Sequence, residues 1–456
     1  MEKRFTVLQK WLYTLGGALL FGVLWRIRGT HGWGGGWGMF TAGMVFMLYM
    51  YAVFARKSNA SFLHVVCAST AALFTAPAWG PILNQPSGLI DNALKDGLYE
   101  TTAVSPWSGV FMMLCLGFGT LPLYLFFVSR LFSGRRYSVW KYIAVIAVFF
   151  GAAYLCQATV SHGIVRLVQP QSVAAFESGL RANGIEDSAY AAYMKHFADI
   201  GWGKKIAYGR NYFSEIEVVS RALAALTAAA VVRFAFRDRA GGKILFWGCA
   251  AFSVSITAAN VFFVLNHRFP ETAFPWLDSA WSFWEFFTGF FAGLLLMLLL
   301  FYADRRCPDA ETEDARLPAM PTKLSDVLLC VFVFLFGFGA SLLRPVAVRM
   351  DASDVLPVVV YAVGGVLLLL FAVLMLTGKL PKFWRRNPVP FAPRLTAVLL
   401  VVHAAYYFLV GYGDCPAALF ENTPVRTLML IACPLFFAVF LPARRRNTAH
   451  KILPCG

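Results

Sequence analysis

The segment FFTGFFAGLLLMLLLFYA, at residues 286–303, decides the fold class of this chain. It contains no charged side chain, and the polar sequence Asp304-Arg305-Arg306 follows it directly. A helix needs about 20 mostly apolar residues to cross the hydrocarbon core of a bilayer. The segment therefore predicts a membrane-spanning helix.

Segments of the same kind recur along the 456 residues. The chain is 59% hydrophobic and only 14% charged, and its mean hydropathy is +0.63. These values exclude an ordinary soluble protein, and the length of the apolar segments excludes a disordered chain, a fibrous chain and a transmembrane β-barrel. We predict an all-α, polytopic membrane protein with about 12 transmembrane helices. The predicted spans begin near Trp11, Gly35, Ser61, Ser108, Val139, Ile216, Ile244, Ala280, Leu324, Val355, Arg394 and Pro424.

The basic residues give a net charge of +16, and their positions predict the orientation of the chain. Basic groups recur after every second predicted span, which is the pattern that cytoplasmic loops show. We therefore expect both termini to be cytoplasmic and the membrane to be the bacterial cytoplasmic (inner) membrane. No basic face outside the membrane is interleaved with stacking aromatic residues, so no nucleic-acid partner is expected. The groups that set the orientation are Arg56-Lys57, Arg135-Arg136, Arg237 with Arg239, Arg305-Arg306, Arg385-Arg386 and Arg444–Arg446.

A short internal match suggests two parallel halves of six spans each. Trp37 to Thr41 and Trp284 to Thr288 share the pattern Trp-x-x-Phe-Thr. The halves would be residues 1–240, which include an external cap loop at 161–215, and residues 241–456. Such a repeat implies a central cavity between the halves. A second external loop, residues 80–107, carries prolines, amides and acids and is expected to dip back into the protein.

Twelve spans with both ends inside and a parallel six-plus-six arrangement resemble the major facilitator superfamily in outline. Asp304-Arg305-Arg306, after the eighth span, is similar to the cytoplasmic loop motif of that family. Its counterpart after the second span, Ala55-Arg56-Lys57-Ser58, lacks the acid and the glycine pattern. The long loop is also placed outside, between spans five and six, instead of between the halves. The resemblance implies a transporter architecture and not membership.

The segment from residue 25 to residue 38 joins the first two spans on the predicted outer side and is the most unusual in the chain. Glycines let the backbone approach a ligand closely, and the start of the following helix favours an anion. Arginine adds a planar, bidentate donor for phosphate or carboxylate, and tryptophan can stack on a sugar ring. The alternative is a tight hairpin with snorkelling arginines and interfacial tryptophans. The candidate substrate-binding residues are Trp25, Arg26, Arg28, Gly34, Gly35, Gly36 and Trp37.

Other polar residues on the predicted outer side can converge on this segment. Glu285 begins the eighth span, one turn after Trp281, and an ionisable residue there usually faces protein or water. It could pair with Arg26 or Arg28. Arg344 closes the ninth span and adds to the excess of positive charge on the predicted outer side. The alternative to a binding role for each of these residues is a solvated charge at a helix end.

Polar residues are sparser deep in the predicted membrane region. His403 and Tyr407 lie one helical turn apart in the eleventh span and share a face. They could form a proton relay or a substrate contact, but His403 could also be a structural histidine bonded to a neighbouring helix. Arg221, Gln157 and Asn260 are similar isolated polar residues in spans six, five and seven.

Three hypotheses remain open for the function. The first is a secondary transporter of an organic anion or a glycan-related amphipathic solute, which uses Arg26, Arg28, Glu285 and His403. The second is a membrane-embedded transferase, of acyl or phospho-group type, that acts on a lipid or lipid-linked glycan at the outer face with His31 as catalytic base. The third is a non-catalytic assembly partner. No metal motif, P-loop or hydrolase elbow occurs, so no metal and no cofactor are expected, and the expected partners are membrane lipid and an anionic small molecule or lipid-linked glycan.

Overall fold

The structure is a computed structural model that describes residues 5–30, 80–93, 99–130, 132, 137–200, 209–269 and 280–306, together with scattered positions between 39 and 72. The described part is mostly helical, as expected. Its helices are α1 (Val7–Thr30), α2 (Gly80–Leu83), α3 (Pro106–Thr120), α4 (Pro122–Ser129), α5 (Val139–Ala158), α6 (Val160–Val168), α7 (Pro170–Ala182), α8 (Ala189–Ile200), α9 (Arg210–Ala230), α10 (Arg239–Ala259), α11 (Val261–Arg268) and α12 (Ala280–Arg306).

Within the described residues, 5 helical segments are long and apolar enough to cross a membrane, or up to 6 if α3 and α4 form one span bent by 47°. The segments match the predicted spans near Trp11, Val139, Ile216, Ile244 and Ala280, and the bent pair matches the one near Ser108. The protein is therefore an integral membrane protein by the length and composition of these helices. The spans near Gly35 and Ser61 lie largely outside the described residues, and the last four spans lie wholly outside. Four expectations stay predictions: the total of 12 spans, the internal repeat, the two halves at 1–240 and 241–456, and the side of the membrane on which each terminus lies.

One two-stranded hairpin interrupts the helical fold and was not expected from the sequence. Strands β1 (Leu89–Ala93) and β2 (Tyr99–Ala103) pair antiparallel, with Leu89 opposite Ala103. Each strand is only five residues long, and polar residues such as Asp91 interrupt the alternation by which a strand is recognised. The described part of the chain is thus mostly α-helical and not purely so.

Contacts divide the chain into two compact units, and the first contains residues 1–74, 126–137 and 289–456. In this unit α1 and the C-terminal part of α12 cross closely. A Cβ atom at Gly289 would lie 2.6 Å from Trp25 Cβ, and one at Gly293 would lie 2.9 Å from Ala18 Cα. Gly289 and Gly293 form a Gly-x-x-x-Gly pair, which lets membrane helices approach at backbone distance.

The second unit contains residues 75–125 and 138–288, and α9 runs through its core. Helix α3 packs between α9 and α10 through two glycines. A Cβ atom at Gly119 would lie 2.7 Å from Arg221 Cβ on α9, and one at Gly117 would lie 2.5 Å from Ile256 Cγ2 on α10. Ser253 Oγ on α10 also donates to the Leu114 carbonyl at 2.6 Å.

The two external loops predicted from the sequence both belong to this second unit. Residues 80–88 form α2 and a following 3-10 turn. Ile82 and Leu83 on α2 and Gln85 in the turn are buried, so this loop enters the protein. The cap loop forms α6, α7 and α8. Apolar residues at helical spacing from Ser172 to Ile200 predict helix in the cap, and the structure divides this stretch in two. Asn183 and Gly184 end α7 in a turn, with Gly184 at a positive φ of 73° that glycine adopts without strain.

Candidate functional site

Helix α9 carries the densest group of buried polar residues in the second unit. Asn211, Ser214, Glu215, Ser220 and Arg221 are all buried, and Glu215 has no exposed surface. Asn211 and Glu215 lie four residues apart, as do Glu217 and Arg221, so each pair occupies neighbouring positions on the helix surface. The helix is also part of the candidate span Arg210–Ala235. Buried ionisable residues in such a span are expensive and mark functional sites.

A chain of side-chain hydrogen bonds ends on the carboxylate of Glu215. Ser108 on α3 donates to Gln169 Oε1, and Gln169 Nε2 donates to Gln85 Oε1 at 3.4 Å. Gln85 Nε2 then donates to Glu215 Oε1 at 2.6 Å. Each donor in this chain therefore points toward the carboxylate. Ser172, at the start of α7, is a second hydrogen-bonding neighbour of Glu215. We call Gln85, Ser108, Gln169, Ser172 and Glu215 the acid–amide cluster.

The buried segment at residues 80–88 holds Gln85 in this cluster. Asn260, at the end of α10, donates its side-chain amide to the Leu83 carbonyl at 2.9 Å. Gly88 closes the 3-10 turn with a positive φ of 89°, and its N–H donates to the Gln85 carbonyl at 2.9 Å. Gly109 on α3 lies directly against the backbone of Gln85, where no Cβ would fit. Glycines thus set both the turn and the close approach that bring Gln85 to Glu215.

The hairpin is attached to the same helix near its N-terminal end. Asn211 Nδ2 donates to the Asp91 carbonyl at 2.7 Å, and Thr101 Oγ1 donates to Asp91 Oδ1 at 2.9 Å. The loop at 80–107 and the cap at 161–215, which the charge pattern places outside, therefore meet α9 at one end of the second unit.

His162, at the start of α6, lies in a cage of tyrosine rings next to this cluster. Its ring centroid is 4.6 Å from that of Tyr190, 4.7 Å from that of Tyr193 and 5.9 Å from that of Tyr212. His162 Nδ1 and Tyr212 Oη are 2.8 Å apart and share a hydrogen bond. Burial lowers the pKa of His162 to about 4, although the nearby backbone of Gln157 opposes the shift. The imidazole is therefore neutral at pH 7.

An ion pair lies farther along α9. Arg221 Nη2 is 2.9 Å from Glu217 Oε1, and their side chains are only 8% and 15% exposed. Tyr193 lies on the cap helix α8, and its pKa is raised above the ordinary value, mainly by burial and then by the charge of Glu217. Glu217 therefore also interacts with the cap. This largely buried pair, which lies next to the cap, provides both signs of charge for a polar ligand.

The structure brings two of the sequence-predicted site residues together. Trp281 Nε1 donates to Glu285 Oε1 at 2.9 Å, as their one-turn spacing allows. Glu285 has no exposed surface, whereas Trp281 is 40% exposed. Their role in binding a solute stays a prediction, as does the pairing of Glu285 with Arg26 or Arg28.

The other predicted residues on α1 are placed within the helix and not after its end. Trp25 is 1% exposed and packs edge-on against Phe21, with the two ring centroids 5.6 Å apart. Arg26 is half-buried. Arg28 lies in the last turn of α1, where a positive charge interacts favourably with the helix dipole. Its side chain is outside the described residues. Outside the described residues altogether are His31, Gly34, Gly35, Gly36, Trp37, Arg344, His403 and Tyr407.

The three isolated polar residues expected in spans five to seven are all buried with partners inside the protein. Arg221 pairs with Glu217, Asn260 donates to Leu83, and Gln157 Oε1 accepts from Tyr193 Oη at 3.5 Å. The contacts of Asn260 and Gln157 favour the structural alternative for these two residues.

Sequence reasoning missed Glu215 because it placed the start of the sixth span at Ile216. The signal that could have found it is the series Asn211, Glu215 and Glu217 with Arg221, which repeats at helical spacing upstream of the apolar residues. Gln85 and Gln169 carry no comparable signal, because neutral amides in two distant loops reveal no pairing in a single sequence.

The described residues contain no group of three or more histidine, cysteine or acidic side chains that could hold a metal ion. The arrangement contains a neutral imidazole, a buried carboxyl with one amide donor, and a largely buried ion pair. No protein-family model, no curated protein and no solved structure matches this chain.

Proposed function

We propose that this protein is a secondary transporter of the bacterial cytoplasmic membrane that carries an organic anion or a glycan-related amphipathic solute. The observation that carries the proposal is the buried pair of Glu217 and Arg221 inside a candidate membrane span. Charged side chains in such a span are retained where they serve an ion or substrate pathway. The guanidinium of Arg221 is the group that would receive a carboxylate or phosphate.

A bent helix pair and two irregular spans support the same proposal. Helices α3 and α4 are bent by 47°, whereas the continuous spans Arg210–Ala235 and Arg239–Arg268 contain a π-turn at Val231–Ala235 and an irregular residue at Asn260. The buried α2 segment adds a further short helix beside α9. Broken helices around buried polar groups are the usual way in which transporters build a site within the membrane.

Counterflow in proteoliposomes tests this proposal. Vesicles that hold the full chain are loaded with unlabelled glucuronate or glycerol 3-phosphate, and uptake of the labelled solute is followed. The double variant Glu217→Gln/Arg221→Gln removes both charges, so no unpaired charge stays buried. We expect the parent to exchange at least one probe, and the double variant to lose about tenfold or more, since a charged hydrogen bond contributes about 1.5–3 kcal/mol.

A matched control keeps that result interpretable. Arg233→Ala removes an exposed basic residue from the π-turn that follows the same helix and should exchange like the parent. Gel filtration in detergent confirms that each variant is monodisperse. Absence of exchange by the parent with either probe contradicts transport of this solute class, and unchanged exchange by the double variant contradicts the role of α9.

A membrane-embedded transferase is the second candidate, and one observation favours it. The acid–amide cluster and His162 lie where the two predicted external loops meet α9, so polar chemistry is concentrated at that end of the unit. A lipid or lipid-linked glycan would be the substrate of such an enzyme, and His31, which lies outside the described residues, stays the base that the sequence proposes for it. The surface lipids and glycans of a His31→Ala strain should then change, and an unchanged composition removes His31 from consideration.

A further inference from the structure

We propose that Glu215 is the site at which the transporter takes up and releases its coupling proton. This inference rests on the proposed transport function, since a coupling site has a role only in a transporter. The proton would be the ion whose gradient drives transport of the solute.

The carboxyl group of Glu215 is buried among neutral groups. Gln85 donates to Oε1, and Ser172 is the other hydrogen-bonding neighbour of the carboxyl. Glu215, Gln85 and Gln169 have no exposed surface, and Ser172 is 1% exposed. A buried carboxylate that has only neutral neighbours is costly in its charged form, and a proton on the carboxylate removes that cost.

A proton fits this position better than a metal cation does. The amide N–H of Gln85 occupies one carboxylate oxygen and would repel a cation on that side. Hard cations such as Mg²⁺ and Ca²⁺ require about six oxygen ligands, and the amide of Gln85 turns its nitrogen toward the carboxylate instead of its oxygen. A proton needs one oxygen and no additional space.

The surroundings of Glu215 leave its charge without a direct ionic partner in the described part of the chain. Gln85 and Ser172 are its neutral neighbours from other elements, and Tyr212 on α9 interacts with it electrostatically. On α9 itself Arg210 is exposed, and Glu217 and Arg221 pair with each other. His162 on α6 is neutral and contacts Tyr212. The charged residues on the elements packed against α9 are all at least partly exposed: Asp91, Lys141, Arg166, Glu177, Arg181, Arg233, Arg239 and Lys243.

The bond changes are simple and balanced. In one conformation the carboxylate of Glu215 accepts one proton from water on the first side, and Oε2 becomes a hydroxyl. In the other conformation it returns that proton to water on the second side. Co-transport of one proton with one monovalent anion moves no net charge.

Infrared difference spectroscopy of the purified full chain tests proton binding without any solute. A pH jump should produce a carboxyl C=O band from the parent that is absent from Glu215→Gln and unchanged in Glu186→Gln, a control at an exposed glutamate outside the spans. If Glu215→Gln fails to fold, Glu215→Asp should shift the band. A band that is identical in the parent and in the Glu215 variant overturns the assignment, whether or not the protein transports anything.

Proteoliposomes then test coupling. A gradient of about one pH unit should accumulate labelled glucuronate up to about tenfold in parent vesicles, the limit for one proton per monoanion. Glu215→Gln imitates the protonated form, so it should lose this accumulation and retain counterflow. Retained accumulation in the variant overturns the coupling role, whereas absence of counterflow in the parent overturns the proposed function instead.

Discussion

Gln85 contributes one hydrogen bond to Glu215, but its removal has a larger effect than that bond suggests. The donor satisfies a carboxylate that has no contact with water, so Gln85→Leu would leave a buried charge or force it to neutralise. We expect Gln85→Leu to destabilise the protein by about 1–3 kcal/mol, and Gln85→Leu/Glu215→Leu to recover part of the loss. Thermal unfolding in detergent measures both variants, and a double variant as unstable as the sum of the single ones contradicts the pairing.

His162 predicts a pH dependence of stability. Its pKa is about 4 in the folded protein, against about 6.5 for an unperturbed histidine, so the unfolded state binds the proton first. The stabilising effect of a neutral His162 is therefore complete above pH 6.5 and is lost as the pH falls toward 4. Between pH 7 and pH 5 the parent should lose on the order of 2 kcal/mol that His162→Gln does not lose. Unfolding midpoints at both pH values check this.

His267 provides the matched control for that experiment. It is exposed at the end of α11, so His267→Gln should keep the pH dependence of the parent. An equal pH dependence in the parent and in His162→Gln would contradict the burial of a neutral imidazole among Tyr190, Tyr193 and Tyr212.

At the scale of elements, the crossing of α1 and α12 depends on glycine. A Cβ atom at Gly289 would meet Trp25 Cβ and the backbone of α1, which cannot move aside as a flexible side-chain end does. Gly289→Ala should therefore destabilise the protein by about 1–3 kcal/mol, as overpacking does. Gly151→Ala on α5 is the control, because a Cβ there meets nothing within 4 Å, and it should be neutral or slightly stabilising. Equal unfolding temperatures of the two variants would contradict the close crossing.

Elements differ in how far the sequence predicts them. The spans near Val139 and Ala280 begin where the structure begins α5 and α12, because a basic or polar break precedes a long apolar run. Helix α9 begins at Arg210 instead of Ile216, because its first turns are polar yet buried by the cap. Hydropathy detects burial in lipid, but polar residues that are buried against protein carry no such signal.

The candidate site was less predictable for the same reason. The sequence indicated Trp281 and Glu285 through their one-turn spacing, and it singled out Arg221 as an isolated charge. The acid–amide cluster joins Gln85, Gln169 and Glu215, which are separated by 84 and 46 residues in the chain. Only the folding of both loops onto α9 shows that these side chains meet.

At the scale of the whole molecule, the charge pattern predicts which end of each helix is outside. We expect Glu186→Cys, in the cap, to react with a membrane-impermeant maleimide added to intact cells. Arg239→Cys, at the start of α10, should react only after the membrane is permeabilised. The parent, with its native cysteines, provides the background, and labelling of Arg239→Cys in intact cells would contradict the predicted orientation.

Transport along α9 requires that its charged face meets water during function. Val218 and Ala225 lie on the face of Arg221, and Leu223 and Ala230 lie on the opposite face, by the 3.6-residue repeat. The most direct measurement is the reaction of single cysteines at these four positions with a hydrophilic thiol reagent in proteoliposomes, with and without glucuronate. We predict labelling at 218 and 225, changed by glucuronate, and none at 223 and 230. Absence of labelling at 218 and 225, or labelling that ignores the solute, would contradict a transport path along α9.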